Sequence, residues 1–225
     1  MAGLIRLAGG FQFEPHLSGA LYWRAASVLI VADLQLEKAS SFARRRRHLP
    51  SDDAVTTLDR LEAVVERHAP AQVICLGDSF YNTDAATHMS DEDTERLANL
   101  CAGADWVWVR GNHDPAPPTQ AGGRIVDDIT VEDVVFRHAM ASDGTAPEIS
   151  GHFHPKATVP ALGRNVTRSC FVYDARRVVL PSFGAPAGGL NVRDSAFLPR
   201  FPEGFDIALL GTRKLHWFSS RDIAL

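Results

Sequence analysis

Three apolar runs in the first half of the chain have the length and composition of buried β-strands. They cover residues 27–32, 72–76 and 106–109, and each run contains at least two β-branched side chains. Between them, apolar residues recur at helical spacing over residues 52–68 and 91–101. Ser51 and Ser90 precede these two segments and are typical N-cap residues. This alternation of strands and helices predicts a sheet with helices packed on it.

The second half of the chain has shorter and more irregular patterns. Residues 129–136 alternate well enough to predict one strand, and residues 170–180 predict a hairpin that turns at Asp174-Ala175-Arg176. Residues 182–191 are glycine-rich and irregular. We expect a single domain over residues 1–225, with its core at about 27–185, an N-terminal hairpin at 4–23 and an irregular or strand extension at 186–225.

Composition excludes several classes of protein. The chain has 225 residues, is 45% hydrophobic and carries a net charge of −4, which gives no overall attraction to nucleic acid or membrane. No apolar run approaches the roughly 20 residues that span a bilayer. Arg6, Gly9 and Gly10 interrupt the apolar segment that a secretory signal peptide would need. We expect a cytoplasmic protein without a membrane partner, and the sequence does not determine its oligomeric state.

Cysteine usage agrees with that location. The three cysteines are odd in number and widely spaced, with no CxxC pair: Cys75, Cys101 and Cys170. We interpret them as reduced structural thiols.

Residues that can bind metal ions follow the apolar strands, and glycines lie beside most of them. They are Asp33, Gly77-Asp78, Gly111-Asn112-His113-Asp114, His138 and Gly151-His152-Phe153-His154. In a sheet of this kind the strand ends lie along one edge, where ligands bind. We therefore expect these side chains to converge.

Each of these residues also has an ordinary structural explanation. An aspartate after a strand is more often a turn former or a helix cap, and a lone histidine is more often a packed residue than a ligand. The run Gly111-Asn112-His113-Asp114 is the most specific, because a strand followed by these four residues has few structural reasons to exist. Taken together and in this order, the motifs favour a metal site over chance.

The same series resembles the calcineurin-like metallophosphoesterase superfamily. That superfamily has Asp-x-His, Gly-Asp, Gly-Asn-His-Asp/Glu, a lone His and Gly-His-x-His, and the match covers positions 33 to 154. The resemblance implies an α/β fold, a four-layer α/β/β/α sandwich of mixed sheets flanked by helices. It also implies an enzyme that hydrolyses a phosphoester with water activated at a di-metal site.

The resemblance further implies the ligands of two divalent cations. Asp78 would bridge both ions, one of which would take Asp33, the residue at position 35 and His154, while the other would take Asn112, His138 and His152. Mixed oxygen and imidazole ligands suit Mn, which we expect first, with Fe or Zn as alternatives. His113 would stabilise the transition state or protonate the leaving group, and Asp114 would orient the His113 imidazole.

Position 35 departs from the superfamily pattern, because Gln35 replaces the usual histidine. An amide oxygen is a weaker ligand than imidazole for late first-row metals, so the metal site that contains Asp33 is expected to bind its ion weakly, to favour a harder ion such as Mn, or to fill only with substrate. The alternative is that Gln35 holds a ligand or a water in place without touching the metal.

The basic run Arg44-Arg45-Arg46-Arg47 lies between the first motif and the first predicted helix. It could hold a polyphosphate or a nucleic-acid backbone as a substrate-binding element. The alternative is a solvated charge cluster, which is usual for such runs.

Two further segments narrow the resemblance. Residues 32–38 and 180–184 are similar to the bacterial phosphoesterases that are associated with a DNA ligase and a helicase in DNA repair. That similarity implies an endonuclease-type phosphodiesterase acting on DNA, including single-stranded DNA, or on a nucleotide derivative, with the ligase and helicase as partners. The alternatives are a phosphomonoesterase, a nucleotide pyrophosphatase, or a non-catalytic binding scaffold with a degenerate metal site.

Overall fold

A computed structural model describes residues 3–36, 53–80, 89–112, 121–142, 145–161, 163–184, 188–221 and 223. Within these ranges two β-sheets pack face to face, and two α-helices cover the outer face of the first sheet. No helix among the described residues is long and apolar enough to cross a membrane.

The first sheet has seven strands in chain order. They are β1 (Ile5–Arg6), β2 (Gln12–Pro15), β3 (Leu21–Trp23), β4 (Val28–Val31), β5 (Gln72–Leu76), β6 (Asp105–Val109) and β7 (Arg124–Val126). Neighbouring strands from β4 to β7 are parallel, and those from β1 to β4 are antiparallel. The parallel half brings the carboxyl ends of the three predicted strands to one edge.

Helices α1 (Asp53–His68) and α2 (Asp91–Ala102) cover this sheet, and both were predicted from apolar spacing. Leu58 and Leu61 of α1 and Leu97 of α2 pack on its outer face. The predicted cap of α2 is confirmed, because Ser90 Oγ accepts a hydrogen bond from the Asp93 N–H at 3.1 Å. The predicted cap of α1, Ser51, lies outside the described residues.

The second sheet has the order β15-β14-β12-β13-β10-β9-β8, and β11 pairs with β12. Its strands are β8 (Asp128–Val131), β9 (Val134–Arg137), β10 (Glu148–Ser150), β11 (Lys156–Ala161), β12 (Arg164–Tyr173), β13 (Arg177–Val179), β14 (Asp206–Leu210) and β15 (Leu215–Ser219). Strand β10 is parallel to both β9 and β13. The remaining pairs are antiparallel.

The core lies between the sheets and on both outer faces. Fully buried side chains fill the space between the sheets, among them Ile30, Ile74, Phe136, Ile149 and Val178. The α/β sandwich prediction is confirmed.

The layer over the second sheet is built differently from the helices on the first. In the described part of the chain it is irregular, with one 3-10 turn at Leu198–Arg200 and the buried rings of Phe197, Phe201 and Phe205. Pro199 and Pro202 interrupt this segment, and proline is incompatible with the interior of an α-helix.

Three sequence predictions about strands meet different outcomes. The hairpin at 170–180 is confirmed, because β12 and β13 are antiparallel and Asp174 Oδ1 accepts from the Arg176 and Arg177 N–H groups. The single strand predicted at 129–136 is wrong. It is a hairpin of β8 and β9, because the chain turns at Glu132, whose φ is 51°. The N-terminal stretch forms three strands rather than one hairpin.

The cysteines are buried and none forms a disulfide: Cys75, Cys101 and Cys170. Burial raises the pKa of the Cys101 thiol to about 12, so that group stays protonated at neutral pH.

Candidate metal centre

The predicted ligands lie where parallel strands of both sheets end. Asp33 follows β4, Asp78 follows β5 and Asn112 follows β6, whereas His138 follows β9 and His152 follows β10. The two edges meet, since His138 Nδ1 lies 2.9 Å from the Leu76 carbonyl oxygen of the first sheet. Six of the seven predicted ligands are linked by the side-chain contacts described below.

Three electron-pair donors form a close triangle on one side of the site, which we call the Asn112 side (Asn112, His138 and His152). Asn112 Oδ1 lies 2.8 Å from His138 Nε2 and 3.0 Å from His152 Nδ1, and the two imidazole nitrogens are 3.1 Å apart. Two ligands in neighbouring positions around a six-coordinate cation bound at about 2.1 Å lie about 3.0 Å apart. The triangle therefore has the spacing of three ligands of one ion.

Backbone carbonyls select the tautomers that leave the inner nitrogens free. His138 Nδ1–H donates to the Leu76 carbonyl at 2.9 Å, and His154 Nδ1–H donates to the Gly188 carbonyl at 3.3 Å. In each case the Nε2 lone pair points toward the other predicted ligands. This arrangement, in which the outer N–H of a histidine is bonded and the inner nitrogen is free, is usual for metal ligands.

The opposite side of the site, which we call the Asp33 side (Asp33, Gln35 and His154), contains a buried contact between a carboxylate and an imidazole. Asp33 is fully buried, and its Oδ2 accepts from the His152 N–H at 3.0 Å. Asp33 Oδ1 lies 3.1 Å from His154 Nε2, but the two atoms are not aligned as a hydrogen bond. Among the described residues neither atom has a hydrogen-bond partner. A positive charge between these two atoms, supplied by a proton on the imidazole or by a bound cation, would stabilise the contact.

The electrostatics of the histidines differ across the site. Burial opposes the protonation of His154, but the Asp33 carboxylate outweighs it and raises the His154 pKa above its ordinary value. Burial and the neighbouring His138 lower the pKa of His152. A positive charge is therefore favoured beside Asp33, whereas His152 presents a neutral, metal-binding imidazole.

Asp78 contacts the Asn112 side through its carboxylate and the Asp33 side through its backbone. It is 4% exposed, and its Oδ2 is 3.5 Å from His138 Nε2. The ligand atoms of Asp78, His138 and His152 all lie within 4.8 Å of one another. The Asp78 carbonyl oxygen also accepts from the Gln35 N–H at 3.0 Å, which ties the Asp78 turn to the Asp33 side.

Backbone strain is concentrated at this site. Of the eight non-glycine residues with positive φ in the described part of the chain, five are predicted ligands: Asp33 (54°), Gln35 (47°), Asp78 (47°), His152 (69°) and His154 (46°). The left-handed region costs about 1 to 2 kcal/mol per residue for L-amino acids. Such strain persists where the surrounding structure enforces it, and it is typical of functional sites.

Two glycines allow the predicted ligands to lie close together, each for a different reason. Gly77 has a φ of 70°, and a Cβ there would overlap the His138 ring and lie 2.8 Å from Gly111 Cα. Gly151 has an ordinary φ, but a Cβ would lie 2.7 Å from Asp33 Oδ2. Gly77 therefore allows a backbone turn with positive φ, whereas Gly151 is needed for close approach.

The donor set fits divalent cations. Carboxylate and amide oxygens are combined with imidazole nitrogens, a mixture that suits first-row transition metals. The close contact of Asp33 with His154 and the donor triangle fit the binding of divalent cations at this edge of the sheets.

Comparison with known proteins identifies the family. The profile described as calcineurin-like phosphoesterase matches residues 26–166, more than half of the chain. The chain belongs to the calcineurin-like phosphoesterase family. It is therefore a metal-dependent phosphoester hydrolase. A comparison with curated proteins gave no match.

Two solved structures are similar to this chain to different degrees. The crystal structure of the Pseudomonas putida nuclease MPE has a TM-score of 0.72 and 24% identity, covering 96% of this chain and 99% of that one. The Escherichia coli phosphoesterase YfcE has a TM-score of 0.42 and 11% identity, covering 85% of this chain and 98% of that one. The first of these similarities establishes the fold.

Several predicted residues of this phosphoesterase lie outside the described residues: His113, Asp114, Arg44, Arg45, Arg46 and Arg47. Their roles stay predictions. Gln35 is described and half-buried, and its backbone joins the Asp33 side to Asp78.

Sequence reasoning missed the groups that hold the ligands in place. They include the Leu76 and Gly188 carbonyls, which bond the two histidines. Every residue has a carbonyl, so a backbone acceptor leaves no signal in a sequence. A cavity of about 540 Å³ beside the β12–β13 turn and one of about 610 Å³ beside Trp23 contain none of the predicted ligands.

Proposed function

We propose that this chain hydrolyses a phosphodiester, in DNA or in a nucleotide derivative, at a centre that binds two divalent cations. The observation that carries this proposal is the pair of donor groups on either side of Asp78. One is the Asn112, His138 and His152 triangle, and the other is the orphaned contact between Asp33 Oδ1 and His154 Nε2. Mn is the metal we expect first, since it accepts both oxygen and imidazole ligands.

In this proposal Asp78 is shared by both ions, Asp33 and His154 hold one, and the Asn112 side holds the other. Bound divalent cations would supply Lewis acidity, which lowers the pKa of water and neutralises phosphoryl oxygens. The chain supplies a rigid frame, because the tautomers of His138 and His154 are set by backbone carbonyls before any ion arrives.

Proton transfer to the leaving group is assigned to His113. It directly follows Asn112 in the sequence, so it belongs to the same strand-end motif. Its imidazole would donate a proton to the leaving oxygen, and the Asp114 carboxylate would keep that imidazole in the correct tautomer. The Arg44–Arg47 run would add attraction for a phosphate backbone.

The choice of a diester over a monoester rests on two lines of support. Residues 32–38 and 180–184 are similar to the DNA-repair phosphoesterases associated with a ligase and a helicase. The protein with the same fold over nearly its whole length is described as a nuclease. A DNA ligase and a helicase are accordingly the proposed partners.

The test compares bis-p-nitrophenyl phosphate with p-nitrophenyl phosphate, in metal-free protein and after addition of Mn²⁺. We expect Mn²⁺-dependent hydrolysis, faster with the diester, and a loss of about 10²- to 10⁴-fold in kcat for His113→Ala. His216→Ala, at an exposed histidine in β15, is the matched control and should keep wild-type activity.

Other outcomes would favour the alternatives. Faster hydrolysis of the monoester would contradict the diesterase proposal and favour a phosphomonoesterase. Absence of metal-dependent turnover with either substrate would contradict the enzyme and favour a binding scaffold.

A further inference from the structure

The strand-to-loop segment that follows β13, residues 180–184, lies along the turn that carries Asp33. We infer that Ser182 and Arg60 are positioning residues that hold the Asp33 turn, residues 32–35, in its metal-binding conformation. We call residues 180–184 the clamp segment. This inference rests on the metal centre of the proposed function, and it concerns residues that contact no reacting group.

The clamp segment is hydrogen-bonded to the Asp33 turn at three points. The Phe183 N–H donates to the Ala32 carbonyl at 2.8 Å, and the Gly184 N–H donates to the Asp33 carbonyl at 3.1 Å. The Ser182 hydroxyl donates to the same Asp33 carbonyl at 3.0 Å. One carbonyl therefore accepts two hydrogen bonds, which fixes the peptide group that follows Asp33.

That peptide group controls the direction of the carboxylate. Asp33 and Gln35 both have φ in the left-handed region, which relaxes toward ordinary values unless it is held. Gly184 packs so closely on the Leu34 carbonyl that a Cβ would overlap it. The contact therefore requires a residue without a side chain at position 184. Of the three hydrogen bonds to the Asp33 turn, the one from the Ser182 hydroxyl is made by a side chain, so a substitution can remove it.

Arg60 of α1 contacts the clamp segment at Phe183. Its Nη2 donates to the Phe183 carbonyl, and its guanidinium lies over the Phe183 ring, with Cζ 5.0 Å from the ring centroid. Phe183 is fully buried. Burial lowers the pKa of Arg60, and in the described part of the chain no carboxylate lies within ion-pair distance of it. Arg60 therefore acts here through its Nη2 hydrogen bond and its stacking on the Phe183 ring.

The chain contains matched controls for both residues. Arg96 is also an arginine of the helical layer, and it pairs with Asp59 and Glu62 of α1, away from the Asp33 turn. Ser90 also binds a backbone group through its hydroxyl, at the start of α2. Substituting these two residues weakens the packing of the helices without touching the clamp segment.

The experiment measures Mn²⁺ binding to metal-free protein, by loss of the free-ion electron paramagnetic resonance signal. Ser182→Ala and Arg60→Met are each expected to weaken one of the two ions about 10-fold and to leave the other unchanged, as is typical when a group that orients a ligand is removed. Ser182→Thr keeps the hydroxyl and should restore wild-type binding. Ser90→Ala and Arg96→Met should lower the melting temperature while both Mn²⁺ affinities stay at the wild-type value.

The outcomes separate this inference from the proposed function. A wild-type protein that binds no Mn²⁺ would overturn both. A wild type that binds two ions, with Ser182→Ala and Arg60→Met binding both at unchanged affinity, would overturn the clamp alone. An equal loss in Ser90→Ala or Arg96→Met would also overturn it, because general destabilisation would then explain the effect.

Discussion

The two sides of the metal centre are organised in different ways. The Asn112 side consists of one amide and two imidazoles, with their donor atoms already 2.8 to 3.1 Å apart. The Asp33 side has one carboxylate and one imidazole, and it carries strained backbone at Asp33, Gln35 and His154. The Asn112 side contains no carboxylate and has positive φ only at His152, whereas all three residues of the Asp33 side have positive φ and one of them is a carboxylate.

This difference predicts unequal metal sites. Imidazole nitrogens favour late first-row metals, whereas carboxylate and amide oxygens favour harder ions. We therefore expect the Asn112 side to fill first. The Asp33 side should depend more strongly on the segments that hold its backbone, because strained turns relax when their supports are removed.

The largest expected effect comes from removing the shared ligand. Asp78→Asn keeps the size of the side chain but removes a buried negative charge from both sides. Mn²⁺ at about 100 times its dissociation constant should add about 2.7 kcal/mol to the stability of the wild type, and it should add almost nothing to this variant. Thermal melting with and without Mn²⁺ measures the difference.

The metal-free Asp78→Asn protein should melt no lower than the wild type, because burying one carboxylate fewer is favourable. Asp206→Asn, at an exposed aspartate of β14, is the control and should respond to Mn²⁺ as the wild type does. A full stabilising response in Asp78→Asn would show that Asp78 is not shared.

Two histidine substitutions distinguish metal binding on the Asn112 side from metal binding on the Asp33 side. His138→Ala removes an Asn112-side donor, and His154→Ala removes the partner of Asp33. Each should reduce the bound metal from two ions to one, with the affected affinity falling by at least about 100-fold. Metal content after dialysis measures this by mass spectrometry. Loss of both ions in either variant would mean that the sides do not act separately.

The smallest expected effect is at position 35. If Gln35 is a ligand, Gln35→His should raise the affinity of the weaker ion by about 10-fold and shift its preference from Mn toward Zn, because imidazole replaces an amide oxygen. Competition between Mn²⁺ and Zn²⁺ during titration measures both changes. Equal occupancy in the wild type and the variant would favour the alternative, in which Gln35 supports a ligand or a water.

The sequence predicted where the strands end and which edge of the sheet carries the site. It could do so because a buried strand and the ligand that follows it are neighbours in the sequence. The ranges of β5 and α2 were predicted nearly to the residue, and Asp33, Asp78, Asn112, His138, His152 and His154 meet at the predicted edge. Comparison with known proteins bears out the family that the motifs suggested.

What the sequence did not indicate depends on contacts between distant segments. Arg60 meets Phe183, 123 positions away, through a carbonyl group and a ring face, and neither contact has a sequence pattern. The turn at Glu132 was hidden because the residues on both sides keep the alternation of a single strand. The phenylalanines over the second sheet recur every four residues, at 197, 201 and 205, but Pro199 and Pro202 prevent the helix that this spacing would otherwise indicate.

Anomalous X-ray scattering from crystals grown with Mn²⁺ tests the central claim most directly, because it locates and counts the ions together. Two peaks are expected, one beside Asn112, His138 and His152 and the other beside Asp33 and His154, with Asp78 between them. Crystals without an anomalous peak at this edge, or with these side chains turned away from one another, would contradict the metal centre.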